Sequence, residues 1–462
     1  MTARRLLPMT ALAAATALTL GACANGGAQN GPGDGQAWYG GESNLTGELE
    51  IVGFGLGDEI AEVRHERALE ALGPEVDVTL VEGGLDIQQF LSAVAAGDAP
   101  DLIYASRAQI GSLAARGAIV PLTDCVDGES VDTEQYREEA LAQVTFDDEI
   151  YGIPEFNQVQ LTMANSELLD AAGVSIDDVN GSDPEAMSAA AEALVQRSGD
   201  DLQVIGVDSK LPEFFPLWAK ARGVDLLSED GRTANLDDPA AVEALEWAVG
   251  IYESQGGFSA VKAFRDSADF FGEGNQFAAG ELGAMPMEQW YLNVLNDVSP
   301  DAPLAFDAVR TPEGEPIAFA GGQAWAVPAG TDNGTAACRY ATTMTQVDTW
   351  VEAAEARKEA RESEGGVFTG VLTGNTRADE EIRGLLSDAD EPWQAGIDAM
   401  YEANEAAVSM PANPADAEFT RIWTDAINGV LAGDAEPADA LATAQEEAQA
   451  ALDEAWAEAD AE

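Results

Sequence analysis

The stretch Tyr151–Glu167, YGIPEFNQVQLTMANSE, constrains the chain more than any other. A Gly-Ile-Pro turn opens it, an apolar and amide-rich run from Phe156 to Met163 follows, and Asn165-Ser166 closes it with a helix N-cap signal. The residues before it read as one α/β unit and those after it as a second. It is therefore read as a crossover between two lobes, with polar side chains exposed where the lobes face each other. The length of 462 residues agrees, because a chain of this size outgrows a single core and two or more domains are expected.

Upstream of the crossover, strand and helix patterns alternate. Glu48 to Phe54 and Val76 to Val81 read as strands, and Asp101 to Ala105 as a third. Between the last two, Ile87, Phe90, Leu91, Val94 and Ala95 recur at helical spacing, and Gly97 ends that helix. Such alternation predicts a mainly parallel sheet with ligands at its carboxyl edge, where the loops carry Phe54-Gly55, Ser106-Arg107 and Gln109. Downstream, helices are expected over Ser166–Ala172, Asp183–Gln196 and Pro239–Ser254, with a strand at Leu202–Val207. The last helix places Leu441, Ala444, Ala448, Leu452 and Trp456 on one face.

The first residues are a leader. Arg4 and Arg5 give a positive start, Leu12 to Leu20 an apolar run, and Leu20-Gly21-Ala22-Cys23 a small-residue cleavage site. That run is too short to cross a bilayer comfortably as a permanent helix. Residues 1–22 thus read as a signal peptide, and the cysteine after the cleavage point resembles a bacterial lipobox. This implies that Cys23 is lipidated and anchors the protein on the extracellular face of the cell membrane; an ordinary secretory signal carrying a Cys is the alternative. Residues 23–47 form a flexible Gly-rich tether, in which Trp38 and Tyr39 stand out as rings able to pack back on the body.

Charge narrows the partners. Acidic residues number 84 against 22 basic, a formal net of −62, and they are spread along the chain. Such a field repels nucleic acid and anionic lipid surfaces, and a solvated acidic coat suits either a salt-rich habitat or a generally acidic secreted protein. Besides Cys23 only Cys125 and Cys338 remain; outside the membrane two thiols favour a disulfide, two free buried thiols being the alternative. There is no Cys-x-x-Cys, and the one histidine, His65, lies among Glu62, Arg64, Glu66 and Arg67 on a helix face expected to be solvated. Neither metal nor cofactor is implied.

Six stretches taken together, in order, carry a resemblance: AAGDAPDLIYA from Ala95, GAIVPLTD from Gly117, YGIPEFNQVQLTMANSELLDAAGV from Tyr151, FAAGELGAMPMEQW from Phe277, FAGGQAWAVP from Phe319 and INGVLAGDAEPADAL from Ile427. The chain from about Gly47 onward resembles the extracellular solute-binding proteins of ABC importers, the maltose-binding-protein-like family of sugar-binding lipoproteins. The resemblance implies a periplasmic-binding-protein-like α/β fold, two lobes joined by a multi-segment hinge with the ligand cleft between them. It places 48–153 and 319–400 in lobe 1, and 154–318 and 401–462 in lobe 2. It also implies a monomer that delivers a carbohydrate, an oligosaccharide, to two permease subunits served by a cytoplasmic ATPase.

Sugars present nearly apolar C–H faces and a rim of hydroxyls, which aromatic rings and planar polar groups meet respectively. Trp290, Tyr291 and Glu288 supply both kinds together, and Trp290 matches the family's stacking tryptophan; a core tryptophan is the alternative. Phe215 and Trp218 are a second aromatic candidate, or core. Glu155, Asn157 and Gln158 on the first crossing, Ser106 and Arg107 on the sheet edge, and Gly322, Gln323 and Trp325 on a second crossing complete the expected ligand set with Phe54. No Gly-x-Ser-x-Gly, His-Glu-x-x-His or P-loop is present, so no catalytic residue is assigned. Two other readings stay open: a glycoside hydrolase using Glu155 and Glu288, and a binder of a polyamine or polyol phosphate.

Overall fold

The structure, a computed structural model, describes residues 38–199 and 201–461. The expected signal peptide, Cys23 and the tether as far as residue 37 lie outside the described residues.

Two mixed five-stranded sheets form the frame. In the first, Gly47–Val52 lies between Val76–Val81 and Leu102–Ser106 and is parallel to both. The remaining positions are filled by Gln323–Ala326 and Ile153–Pro154. The expectation of a mainly parallel sheet is met only over those first three strands. Gln323–Ala326 runs antiparallel to both its neighbours, Trp325 standing opposite Tyr104 on one side and Ile153 on the other. The reason is topological: this strand returns from the second sheet rather than climbing through a helix.

In the second sheet Gln160–Asn165 lies between Leu304–Ala308 and Leu282–Glu288, antiparallel to both, and Asp201–Val207 pairs parallel with Leu282–Glu288. All six residues of Gln160–Asn165 are buried, as the apolar run predicts. Local chemistry fixes the helix starts. Asp86 accepts from the backbone N–H of Gln89 and Asn165 from that of Leu168, each satisfying one of the donors a helix start leaves free. Gly97 ends its helix in the left-handed conformation at φ 74°.

Each sheet has its own core. Leu161, Met163, Ile205 and Leu282 belong to the second, and so do Trp393, Ile397, Met400 and Tyr401 of the helix Trp393–Glu405. That helix spans the sequence-based division at residue 400 and packs as a whole on the second side. Leu49, Ile51, Trp325 and Tyr340 belong to the first, and Trp38 and Tyr39 do pack against it. The Cys125–Cys338 disulfide, Cα atoms 5.8 Å apart, joins two helices of that core.

The helix Glu59–Leu72 corrects one expectation. Arg64 is fully buried, and His65 is half-buried with its Nδ1 2.7 Å from the Tyr340 hydroxyl. Glu62, Glu66 and Arg67 are exposed as expected, but the side of the helix that carries Arg64 and His65 is covered because the helices Gly334–Met344 and Val347–Ser363 pack on it. Among the described residues no helix is long and apolar enough to cross a membrane, and no cluster of His, Cys, Asp or Glu could hold a metal ion.

Candidate functional site

A pocket of about 170 Å³ opens where the two sheets' loops meet. The first side contributes Arg107, Ala108 and Gln143, and the second contributes Glu213 and Pro216. Phe319 enters from the second crossing, and the wall is completed by residues 410–413 and Asp416 with Phe419, Thr420 and Trp423.

Arg107 follows directly on the strand Leu102–Ser106 and is fully buried. Its backbone N–H donates to the Gly322 carbonyl at 3.0 Å, and its Nη2 donates to Asn157 Oδ1 at 2.7 Å and to the Gly321 carbonyl. Asn157 is steadied in turn, donating from Nδ2 to Asn404 Oδ1 at 2.7 Å. Asn404 donates to Asp379, which also accepts two hydrogen bonds from Arg137. This buried network fixes the guanidinium from behind. Gly322 makes the close approach achievable: at φ 147° a Cβ there would sit 2.1 Å from the Phe156 carbonyl and 2.6 Å from Arg107 Nη2.

The residues of the lining also hold several buried polar atoms without partners. Ten buried side-chain polar atoms lack a hydrogen bond among the described residues, and five of them belong to residues lining this pocket. Arg107 Nε and Nη1 and Trp423 Nε1 are donors; Gln143 Oε1 and Asp416 Oδ1 are acceptors. A buried polar group left unpaired costs roughly 1–3 kcal/mol, and half of those in the described chain belong to residues of this one lining. Burial lowers the Arg107 pKa to about 10 and raises that of Asp416 to about 7. Asp416 Oδ2 meanwhile accepts from the Ser112 backbone N–H at 3.2 Å, tying the helix Asp416–Leu431 to the first side. Apolar faces complete the lining: Phe319, Phe419 and Trp423, the last backed by Phe215 at 6.2 Å between ring centroids.

A second cluster stands nearby at the end of Leu282–Glu288. Trp290, half-buried, donates from Nε1 to Glu288 Oε2 at 2.7 Å. Burial raises the Glu288 pKa; the bond from Trp290 and the charge of Lys210 lower it, and Glu213 raises it. Tyr291 is buried, its ring flat on Phe270 and its hydroxyl donating to the Phe270 carbonyl at 2.8 Å.

The sequence-derived residues divide accordingly. Arg107 lines the pocket; Asn157 and Gly322 support it from beneath. Ser106 and Gln323 are half-buried partners across one strand pair, and Gln158 exchanges backbone hydrogen bonds with Gly321. Phe54 and Trp325 are core, their rings 5.0 Å apart beside Tyr104. Trp218 is core too, its Nε1 donating to the Ser209 carbonyl at 2.8 Å. Phe215 is buried behind Trp423. Glu155 is fully buried, its carboxylate ion-paired with Arg64 and accepting from the Tyr104 hydroxyl, so it cannot face Glu288 across a glycosidic bond. Gln143, Asp416 and Trp423 were not foreseen. The available signal was the segment Met410–Asp416, MPANPAD, whose two prolines hold a loop open ahead of an amphipathic helix.

Comparison with known proteins follows the geometry. The model of a family described as bacterial extracellular solute-binding protein matches residues 67–360. The maltodextrin-binding protein MdxE of Bacillus subtilis is 24% identical over 347 residues, covering 72% of each chain. Among solved structures, the ABC substrate-binding protein Lmo0181 of Listeria monocytogenes in complex with cycloalternan superposes with a TM-score of 0.70 at 19% identity, over 88% of this chain and 98% of that one. The GacH receptor of Streptomyces glaucescens, solved with and without acarbose, gives 0.68 at 19% identity, over 88% and 99%. The two-lobed fold is therefore shared.

Proposed function

The chain belongs to the bacterial extracellular solute-binding proteins, and from that premise we propose that it captures a carbohydrate in the pocket beside Arg107 and delivers it to an ABC permease. The observation that carries this reading is the pocket lining, in which the polar side chains of Arg107, Gln143 and Asp416 stand among the aromatic Phe319, Phe419 and Trp423. Sugar hydroxyls both donate and accept, and sugar C–H faces lie well on rings. A polyamine offers no acceptors and would meet Arg107, while a phosphate ester would meet Asp416 and Glu213. A neutral polyhydroxylated guest suits both charges. The names of the relatives point the same way: a maltodextrin-binding protein, and structures holding cycloalternan and acarbose.

On this reading the protein is a receptor and not an enzyme. Lobe movement about the segments near Pro154 and Gly322 admits the guest, and Cys23 carries the lipid that holds the body at the outer face of the membrane. A thermal-shift screen against mono- and oligosaccharides tests the ligand class, since a molecule that binds only the folded form raises the melting temperature. At least one sugar is expected to do so; a panel without effect would overturn the carbohydrate reading. Trp423→Ala is expected to weaken the best hit by about tenfold or more, the loss of one stacked ring and one donor.

A further inference from the structure

Residues 38–46 belong to no helix or strand, yet the body holds them at several points. The rings of Trp38 and Tyr39, set edge to face with centroids 5.9 Å apart, pack against the first core. The Tyr39 hydroxyl donates to Glu129 Oε1 at 3.0 Å, and Glu129 is held in turn by Arg339, whose Nη2 donates to it at 2.8 Å. The Gly40 backbone N–H donates to Thr335 Oγ1 at 2.9 Å, and that hydroxyl donates to Glu42 Oε2 at 2.7 Å. Leu45 is buried in the same core, and Asn333 Nδ2 donates to the carbonyls of Thr46 and Glu48.

The seat for these rings is shaped to receive them. It lies between the helices Thr123–Gly128 and Gly334–Met344, the pair joined by the disulfide. Each helix presents a glycine there. A Cβ at Gly128 would sit 2.3 Å from the Tyr39 ring, and one at Gly334 would sit 2.2 Å from the Trp38 carbonyl oxygen. Gly128 stands three residues after Cys125 and Gly334 four before Cys338, so each lies one helical turn from the bridge. The cross-link thus fixes the spacing of the two helices that form the seat.

We propose that residues 38–42 are a strap that docks the tether on this helix pair, so that the body hangs from its first side by a shortened leash and its second side is left free to move. This rests on the lipid anchor at Cys23 in the reading above. From Cys23 to Trp38 an extended chain spans at most about 50 Å, against about 80 Å to Gly47, where the first strand begins. The strap limits how far the cleft can stand from the membrane. It also takes any pull on the anchor at the cross-linked helices instead of at the strand Gly47–Val52.

Hydrogen exchange of the full mature chain, read by mass spectrometry, tests the docking. The amides of residues 38–46 are expected to be protected in the wild type. Trp38→Ala with Tyr39→Ala should speed their exchange about tenfold or more, while both sheets keep their protection and the melting temperature shows that the body stays folded. Tyr39→Phe, which keeps the ring and loses the bond to Glu129, should fall between the two. Wild-type amides that exchange there as fast as a free peptide would overturn the strap. For the leash, lipidated protein in phosphatidylcholine vesicles carries a donor dye on Glu75→Cys, an exposed position on the first side, and the bilayer carries an acceptor lipid. Energy transfer should drop when Trp38 and Tyr39 are both replaced by alanine. Equal transfer in the two chains would overturn the leash. A chain recovered from cell membranes without lipid on Cys23 would overturn the anchor and the leash with it, and leave the exchange result to decide the docking.

Discussion

Asp416 shows how a side chain that lines a pocket can be costly for the fold. Its carboxyl is buried between the backbone amides of the first side and a pocket that also holds Arg107, and burial lifts its pKa from 3.8 to about 7. A raised folded-state pKa means that the folded protein holds the proton more tightly. The contribution to stability is full below about pH 3.8, is lost as pH rises towards about 7, and is flat beyond. Asp416→Asn keeps an acceptor for Ser112 and removes the charge. It should melt above the wild type at pH 8 and level with it at pH 4; equal melting at both would show that burial exerts no penalty. Residues of this kind are hard to foresee. Arg107 was legible because it follows a strand at the sheet's carboxyl edge. Asp416 and Trp423 sit on a helix whose spacing looks like ordinary core, and only the tertiary meeting of two distant segments gives them a pocket. Trp218 and Trp325 illustrate the converse: their sequence contexts suggested a ligand, and packing claimed them.

At the scale of elements, the strands and caps were readable because their signals are local. Alternation, Asp and Asn caps and a terminal glycine act within a few residues. What joins elements far apart was not readable, and the C-terminal helix Pro437–Ala459 is the clearest case. Its apolar stripe was foreseen and is buried through Leu452. The last member, Trp456, reaches across instead: its ring stacks on Phe146 at 5.6 Å and lies 3.9 Å from the Arg232 guanidinium. Cys125 and Cys338, 213 residues apart, are the exception: the two thiols favoured a bridge from the sequence, and the structure forms it between two helices. Replacing both with alanine removes the cross-link and frees the unfolded chain, which should lower stability by roughly 2–5 kcal/mol in chemical denaturation. A loss under about 0.5 kcal/mol would mean that packing alone holds those helices.

Over the whole molecule, charge is the dominant feature. With 84 acidic and 22 basic residues, most carboxylates have no cation to pair with, and folding brings them closer together than in the extended chain. Self-repulsion of that kind opposes the compact state and is screened as the Debye length falls from about 10 Å at 0.1 M salt to about 3 Å at 1 M. The melting temperature is therefore expected to climb between 0.05 and 1 M sodium chloride; a flat or falling curve would show that repulsion contributes little.

The order of strands in the first sheet carries one more implication. Its fourth position belongs to Gln323–Ala326, which is made only after every strand of the second sheet. A ribosome that has released the first 200 residues has delivered the edges of that sheet without the strand that joins them. A shortened gene product ending anywhere before Trp325 should therefore yield no autonomous half-protein, and the two lobes cannot be inherited, exchanged or expressed as separate pieces by simply cutting the chain once.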